Sequence, residues 1–451
     1  MRELRLHDTR SGAVALLQPR DPGRVSIYAC GPTVYGRLHV GNARPYVVFS
    51  LLKRFLEHEG LEVTLVVNIT DVNDKIYDAA RSLGQPSAGL ARQMADAYRA
   101  DTDRLGLGRP DAEPLASETM GPIIDHISAL IETGHAYEAQ GDVFFSVRSD
   151  AAYGSLSGRD LGAMDQGEGI EGAERKRDPL DFALWKGTKP EEDTAWDSPW
   201  GRGRPGWHIE CSAMAESLLG LGFDVHGGGL DLLFPHHENE AAQTRAARGA
   251  ELTRMWVHNG MLQLSGEKMA KSVGNIEPLH EVLDRHGPEV LLMYFAGGHY
   301  RQPIAFGEKP LGQARANVAR LGEAAHRLTA GPSPAELSGH RDAFFAALAD
   351  DYNTPQALVA LWAWVRQANR RPPGTVGAAD LREMLEMLGL EGLLEPEPEP
   401  RPDAEARGLV RKREGARAAG DYATADALRE RLAELGWEVR DGPAGPELKR
   451  R

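Results

Sequence analysis

Cysteine and long apolar runs are what this sequence most clearly lacks. It contains two cysteines, Cys30 and Cys211, and no stretch approaches the roughly 20 consecutive apolar residues that span a bilayer. Two cysteines are too few for a disulfide-stapled secreted domain. The amino terminus is charged, unlike the apolar core of a secretory signal peptide. We therefore expect a cytoplasmic protein that does not contact a membrane.

An excess of positive charge is also missing. The 52 Lys and Arg residues are outnumbered by 66 Asp and Glu residues, which gives a net charge of −14. An RNA partner would therefore need a local basic region. Residues 407–451 supply one, since their 11 Lys and Arg residues exceed their 8 Asp and Glu residues by 3, and Trp437 is available to stack on a base. A solvated basic helix would have the same composition.

The apolar pattern of the first part of the chain predicts an α/β fold. Val25–Ala29 is typical of a strand, residues 45–59 have the apolar spacing of a helix, and Leu61–Ile69 is typical of a buried parallel strand. Residues 75–200 interrupt this alternation with helices and a hairpin, so we interpret them as a mainly helical insert. Asp181–Lys186 is predicted to begin the return to the sheet.

Composition divides the whole chain into four parts. Residues 1–307 form the predicted Rossmann-type domain with a parallel sheet, and residues 308–395 have the helical spacing of a bundle. Residues 396–406 are rich in proline and are predicted to form a semi-rigid linker. Residues 407–451 then form a small C-terminal domain.

A short turn after the first strand has the features of a phosphate site. His39-Val40-Gly41-Asn42 stands between the strand and the predicted helix, so backbone N–H groups and the positive end of the helix dipole face whatever lies in front. Gly41 has no Cβ and lets a flat group approach the backbone. These residues are equally compatible with an ordinary βα turn.

Four side chains of metal-ligating type stand near glycine-rich loops. His236 and Glu240 share one face if a helix begins near Pro235, with His237 and Glu240 as the fallback pair. Together with Cys30 and Cys211 they would complete a four-ligand zinc site. A His/Glu pair on a helix is more often a surface pair, and free cysteines are usually buried and inert.

Several motifs resemble those of a known enzyme family. His39–Asn42 and Lys268–Ser272 resemble the "HIGH" and "KMSKS" signatures of class I aminoacyl-tRNA synthetases, although Asn42 replaces the second His and Ala270 the first Ser. The longer motifs YACGPTVY, GWHIECSAM, HGGGLDLLFPHHENE and KMAKSVGN closely resemble the cysteinyl-tRNA synthetases of that family. The resemblance implies that one Zn²⁺ per chain is bound by Cys30, Cys211, His236 and Glu240.

The resemblance also implies a reaction and its partners. L-cysteine would be activated by ATP, with Mg²⁺, and transferred to tRNA(Cys). His39 and Asn42 would face the triphosphate, while Lys268 and Lys271, in a loop over residues 267–275, would neutralise the pyrophosphate. The remaining implied substrate- and ATP-binding residues are Gly31, Thr33, Gly41, Thr70, Trp207, Gly227, Gly228, Gly229 and Asp231.

Zinc gives this assignment a chemical reason. Cysteine and serine are nearly the same size, and zinc binds a thiolate much better than a hydroxyl, so no editing domain is needed. By resemblance, residues 308–395 would support the tRNA and residues 407–451 would read the anticodon. We expect a monomer.

Two alternatives stay open on sequence alone. A related cysteine ligase of mycothiol synthesis joins cysteine to an amino-sugar inositol, but it would not need residues 407–451. A non-catalytic RNA-binding paralogue is the other, and the presence of His39, Lys268 and Lys271 argues against it.

Overall fold

The structure is a computed structural model that describes residues 2–164, 173–264, 267–268, 276–395, 404–442 and 445–450. The chain divides into two compact units, Met1–Glu391 and Gly392–Arg451. The first unit contains both the predicted parallel-sheet domain and the predicted helical bundle, so the boundary at residue 307 stays a prediction. Within the described residues, no helix is long and apolar enough to cross a membrane.

The elements follow one another along the chain. The strands are β1 (Arg5–Asp8), β2 (Ala13–Leu16), β3 (Arg24–Ala29), β4 (Glu62–Val67), β5 (Ala136–Ala139), β6 (Asp142–Phe145), β7 (Phe182–Gly187), β8 (Gly203–Pro205), β9 (Phe223–Gly229), β10 (Thr253–Asn259), β11 (Leu262–Leu264), β12 (Glu267–Lys268), β13 (Ile304–Phe306), β14 (Trp437–Gly442) and β15 (Gly445–Arg450). The helices are α1 (Val40–His58), α2 (Asp74–Leu83), α3 (Ser87–Asp103), α4 (Met120–Glu132), α5 (Trp207–Leu219), α6 (Glu238–Arg248), α7 (Leu279–His286), α8 (Pro288–Ala296), α9 (Glu308–Ala325), α10 (Ser338–Ala349), α11 (Thr354–Asn369), α12 (Ala379–Glu386), α13 (Ala404–Ala418) and α14 (Tyr422–Glu434).

A parallel sheet in the order β10-β9-β3-β4 positions the candidate site. The strands β3 and β9 are neighbours although the insert separates them in sequence. The chain leaves β3 toward β4 on one side and later continues in β9 and β10 on the other. Ligands of open parallel sheets bind where the strand order reverses in this way, beyond the carboxyl ends of the strands. The predicted Rossmann-type fold is confirmed.

Helix α1 begins earlier than the sequence predicted. Its first residue is Val40, whereas the pattern pointed to Pro45, which lies inside the helix. The N–H group of Val40 donates to the carbonyl of Glu277 at 2.9 Å, so a tertiary contact caps the first turn. Gly41 and Asn42 therefore lie in the first turn itself.

The insert folds around its own sheet as well as helices. Strands β5, β6, β7 and β8 pair antiparallel in that order, next to helices α2, α3 and α4. The prediction that Asp181–Lys186 returns to the central sheet was wrong, because most of that segment is β7. Leu184 and Trp185 on β7 are fully buried in an insert core that also contains Phe145. Burial against the hairpin, rather than pairing with β9, fixes the position of this strand.

The helices after β13 pack as the predicted bundle. Helices α10 and α11 bury Phe344, Leu361 and Trp364 between them and their neighbours. The indole N–H of Trp364 donates to Asp380 at 3.1 Å, which ties α11 to α12.

The second unit consists of α13, α14 and the hairpin of β14 and β15. Residues 404–406, predicted as linker, are the first turn of α13. Trp437 is only 5% exposed and packs in a small core with Leu432 and Val439, so it is not available for stacking on a base. The apolar requirement of so small a unit explains the burial of its tryptophan.

Candidate metal centre and active site

Four predicted ligand residues meet at the carboxyl end of the central sheet. Cys30 directly follows β3, and Cys211 lies on α5. His236 lies in the turn before α6, and Glu240 lies in the first turn of that helix. One ligand atom from each lies within 4.8 Å of the others, and all four side chains are buried. The Cys30 Sγ atom is 3.6 Å from His236 Nε2 and 3.6 Å from a Glu240 oxygen. These residues are able to surround one metal ion.

The turn before α6 brings its two ligands onto one face. Leu233–His237 forms a wide helical turn that runs directly into α6, although Phe234 itself is not helical. His236 Nε2 lies 3.1 Å from a Glu240 oxygen, as expected for an i, i+4 pair. The side chain of Trp207 stacks on His236, with 4.5 Å between the ring centroids. The imidazole is therefore held in place from two sides.

Further histidines surround the cluster. His226, which the sequence analysis did not identify, and His237, which it named only as a fallback partner of Glu240, form a second group of close ligand atoms with Cys30 and Glu240. His208 and His258 lie one step outward, since their ring nitrogens are 2.8 Å from His236 and 2.7 Å from His237. The strand register would have identified His226, because this residue pairs with Tyr28 in the parallel sheet and Tyr28 is two positions before Cys30.

Burial sets the protonation of this cluster. It lowers the pKa of His236 to about 3 and that of His237 well below the usual value, so both imidazoles are neutral and able to bind a metal. Burial also raises the pKa of Cys30, because a lone thiolate is unstable away from water. Burial alone would raise the pKa of Glu240, but His226 and His236 lower it. A divalent cation would reverse the preference of the thiol.

A cavity of about 440 Å³ opens next to the cluster. Thr33, Trp207 and His208 line it on the side of the metal cluster. The predicted pocket residue Thr70 is buried and forms a parallel bridge with Thr33. The cavity is also lined by Lys75, Lys176, Lys186 and Arg204, and by Asp74, which pairs with Lys186 and Arg204. Its size and its excess of cationic side chains suit a small zwitterion and a phosphate.

The predicted nucleotide residues lie at the same end of the sheet. His39 is the N-cap of α1 and pairs with Pro278, so the turn contacts the chain just after residues 269–275. Asn42 is exposed in the first turn. Lys268 ends the short strand β12 next to β11, and its side chain lies outside the described part of the chain. Lys271 also lies outside the described residues.

Two of the predicted glycines have packing reasons of their own. A Cβ on Gly31 would lie 1.8 Å from the carbonyl oxygen of Asn68, and one on Gly227 would lie 2.0 Å from the ring of Phe49. Gly228 and Gly229 complete β9, and Asp231 is exposed in the turn that follows. These residues lie at the carboxyl ends of β3 and β9 and in the turn after β9, where the nucleotide is predicted.

Arg44, which the sequence analysis did not identify, supports the turn from behind. Its guanidinium is 1% exposed and donates to the carbonyls of Gly260, Met261 and His299. Burial lowers the pKa of Arg44 to about 10. Because Gly260 and Met261 lead into β11, this arginine joins helix α1 to the segment that carries Lys268.

Comparison with known proteins identifies both units. The family model described as "tRNA synthetases class I (C) catalytic domain" matches residues 16–316. The one described as "Cysteinyl-tRNA ligase anticodon binding domain" matches residues 399–446. A curated cysteine–tRNA ligase from Halorhodospira halophila is 45% identical, covering 99% of each chain. Another from Geobacillus thermodenitrificans is 40% identical, covering 100% of each chain.

Solved structures agree in fold. Mycobacterium tuberculosis methionyl-tRNA synthetase with methionyl-adenylate has a TM-score of 0.60 at 18% identity, covering 82% of this chain and 89% of its own. A leucyl-tRNA synthetase ternary complex from Agrobacterium radiobacter also reaches 0.60, at 12% identity, covering 84% of this chain and 85% of its own. With the full-length matches to cysteine–tRNA ligases, the conclusion is direct: the chain belongs to the cysteinyl-tRNA synthetase family of class I aminoacyl-tRNA synthetases.

Proposed function

We propose that this chain activates L-cysteine with ATP and transfers the cysteinyl group to tRNA(Cys). The observation that carries the proposal is the buried Cys/His/Glu cluster beside a cavity at the carboxyl end of the sheet, in a chain that matches cysteine–tRNA ligases over its whole length. Neither the mycothiol alternative nor the RNA-binding paralogue is favoured by those matches. A cytoplasmic location remains our expectation from composition, and a monomer remains an expectation.

We assign the cluster to Zn²⁺, bound by Cys30, Cys211, His236 and Glu240. The donor set fits, because zinc takes thiolate, imidazole and carboxylate ligands, and because these donors are buried where water cannot replace the ion. When bound, zinc supplies a soft Lewis acid that distinguishes a thiolate from the hydroxyl of serine. The Glu240 oxygen without a hydrogen-bond partner among the described residues supports a missing cation at this position.

The chain's own residues then orient the substrates. Thr33 and Trp207 line the amino-acid side of the cavity, and Thr70 pairs with Thr33 there. Attack of the cysteine carboxylate on the α-phosphate needs charge neutralisation more than proton transfer. His39 and Asn42, at the start of α1, are assigned to the triphosphate, and Lys268 and Lys271 are assigned to neutralise the negative charge of the pyrophosphate. Mg²⁺ is expected to accompany ATP.

The helical part is proposed to support the tRNA through a groove between α9 and α11. This arginine groove has a volume of about 310 Å³ and is lined by Arg320, Arg327, Arg366 and Trp362 among others. None of the three arginines has an ion-pair partner among the described residues. Phosphate oxygens are the natural partners of such arginines, and residues 407–451 are proposed to read the anticodon.

One pair of assays tests the proposal. We expect cysteine-dependent ATP–pyrophosphate exchange without tRNA, and cysteinyl-tRNA formation when tRNA(Cys) is added. Serine should support neither reaction at the same concentration. Exchange that does not depend on cysteine, or amide formation with the amino-sugar inositol in place of tRNA charging, would contradict it.

A further inference from the structure

A second set of ligand atoms lies on the inner side of the metal cluster. Cys30 and Glu240 belong to both sets, but His226 and His237 take the places of Cys211 and His236. We call Cys30, Cys211, His236 and Glu240 the outer seat, because Trp207 and His208 place it next to the cavity. The inner seat is Cys30, His226, His237 and Glu240, which lies against Trp256.

The distances from Cys30 to the other inner-seat ligands match a tetrahedral zinc site. Zinc bonds of about 2.0–2.3 Å in a tetrahedron separate neighbouring ligand atoms by about 3.3–3.8 Å. Cys30 Sγ lies 3.5 Å from His226 Nε2, 3.3 Å from His237 Nε2 and 3.6 Å from Glu240 Oε1. His237 Nε2 lies 3.9 Å from the same Glu240 oxygen, and His226 Nε2 lies 3.5 Å from the other oxygen, Oε2. The three Cys30 distances are therefore at coordination spacing, and one ligand atom from each of the four residues lies within 4.8 Å of the others.

Both histidines also present the correct nitrogen. The Nδ1 atom of His237 faces His258 at 2.7 Å, and His258 in turn faces the Thr9 hydroxyl at 2.8 Å, so Nε2 is the atom left toward the cluster. His226 Nδ1 is buried without a hydrogen-bond partner in the described part of the chain, while its Nε2 points at Cys30 and Glu240. The hydrogen bond to His258 therefore orients His237 as a ligand, and His226 places its Nε2 within 3.5 Å of Cys30 Sγ.

Charge gives the inner seat a separate advantage. A divalent ion with one thiolate, one carboxylate and two neutral imidazoles is electrically neutral, whereas the outer seat has a second thiolate and carries one negative charge. Both seats are buried, and a net charge is costly to remove from water. The outer seat compensates with two thiolates, which zinc prefers.

We propose that the inner seat is a second position for the ion, which retains it when Cys211 is replaced by a residue that cannot bind metal. This inference rests on the proposed zinc function. Because the seats share Cys30 and Glu240, one ion occupies one seat at a time. Loss of an outer ligand then moves the ion inward instead of releasing it.

Metal stoichiometry and affinity test the inference without an activity assay. In the full-length protein with ZnCl₂ and a competing chelator, we expect Cys211→Ala and His236→Ala each to keep one zinc per chain, with affinity reduced by less than about tenfold. Adding His226→Ala and His237→Ala to Cys211→Ala should reduce affinity by more than about 100-fold. Cys211→Ala with His208→Ala is the matched control, since His208 belongs to neither seat.

Cobalt(II) substitution identifies the ligands. The sulfur-to-cobalt charge-transfer absorption should fall to about half in Cys211→Ala, because one thiolate remains. Loss of metal from Cys211→Ala and His236→Ala, with wild-type circular dichroism, would overturn the inner seat. If one variant fails to fold, the other and the isosteric Cys211→Ser decide the question. Absence of metal from the wild type would instead overturn the zinc assignment itself.

Discussion

Two arginine-containing regions of the first unit place the same side chain in opposite surroundings. Arg44 is buried behind α1 and is fixed by backbone carbonyls, whereas Arg320 and Arg366 in the arginine groove are exposed. A buried guanidinium must have every donor satisfied, since the cost of an unpaired polar group away from water is high. An exposed one is solvated and free to bind a ligand. Arg44 fixes the position of α1, and the exposed arginines are the ones that we propose to bind tRNA.

The largest effect is expected from Arg44→Met. The substitution leaves buried carbonyls without donors, and we expect a loss of about 3 kcal/mol in the free energy of unfolding. Urea unfolding followed by circular dichroism measures it. Arg44→Lys keeps the charge but reaches fewer carbonyls, so its free energy of unfolding should lie between those of the wild type and Arg44→Met. If Arg44→Met were as stable as the wild type, the buried arginine would not be needed for the fold, and the difference from the exposed arginines of the groove would disappear.

An intermediate effect is expected from Asp74→Asn at the edge of the cavity. Asp74 pairs with the buried Arg204 and with Lys186, 2.8 Å away. Burial would raise the pKa of Asp74, but Arg204 and Lys186 lower it, so the ionised form stabilises the fold. Because the carboxylate is partly exposed, solvent screening limits the loss to about 1 kcal/mol at pH 7.

The pH dependence of that loss tests whether the ionised form of Asp74 stabilises the fold. A carboxylate with a lowered pKa contributes its full stability above the unfolded pKa of about 3.9 and loses it as the pH falls through the folded pKa. The difference in melting temperature between wild type and Asp74→Asn should therefore be constant above about pH 5 and shrink below about pH 4. A difference that grows on acidification would contradict the assignment.

The smallest effect is expected in the arginine groove. Arg366→Gln should raise the KM for tRNA(Cys) by about two- to fivefold and reduce the salt dependence of tRNA binding by about one counterion. ATP–pyrophosphate exchange without tRNA should not change. Arg366→Lys, which keeps the charge, serves as the matched control. An unchanged KM and salt dependence would show that this exposed arginine does not contact the tRNA.

Local patterns and motifs were enough to predict much of the fold. The strand at Val25–Ala29 and the hairpin of the insert follow from alternation and β-branched residues. The motifs also predicted that Cys30, Cys211, His236 and Glu240 lie close together, as they do in the structure, although their role as zinc ligands stays a prediction. Those residues are recognisable because their spacing matches a known family.

Tertiary contacts account for what the sequence did not predict. Helix α1 starts at Val40 because Glu277 caps it, and no local signal reports so distant an acceptor. The strand at Asp181–Lys186 joins the insert because of the apolar neighbours that it buries. The partners of Arg44 and His226 are far away in the sequence. A single arginine or histidine also forms no periodic pattern that would identify it as important.

The wide separation of the shared ligands has a consequence for synthesis of the chain. Glu240 follows Cys30 by 210 positions. Ribosomes add about 5–20 residues per second, so roughly 10–40 s pass between the appearance of the first ligand and the last. Throughout that interval the metal site is incomplete, and the Cys30 thiol is accessible to oxidants and to other metal ions. Nascent chains stalled before residue 240 should therefore react with alkylating reagents at Cys30 far faster than the finished protein.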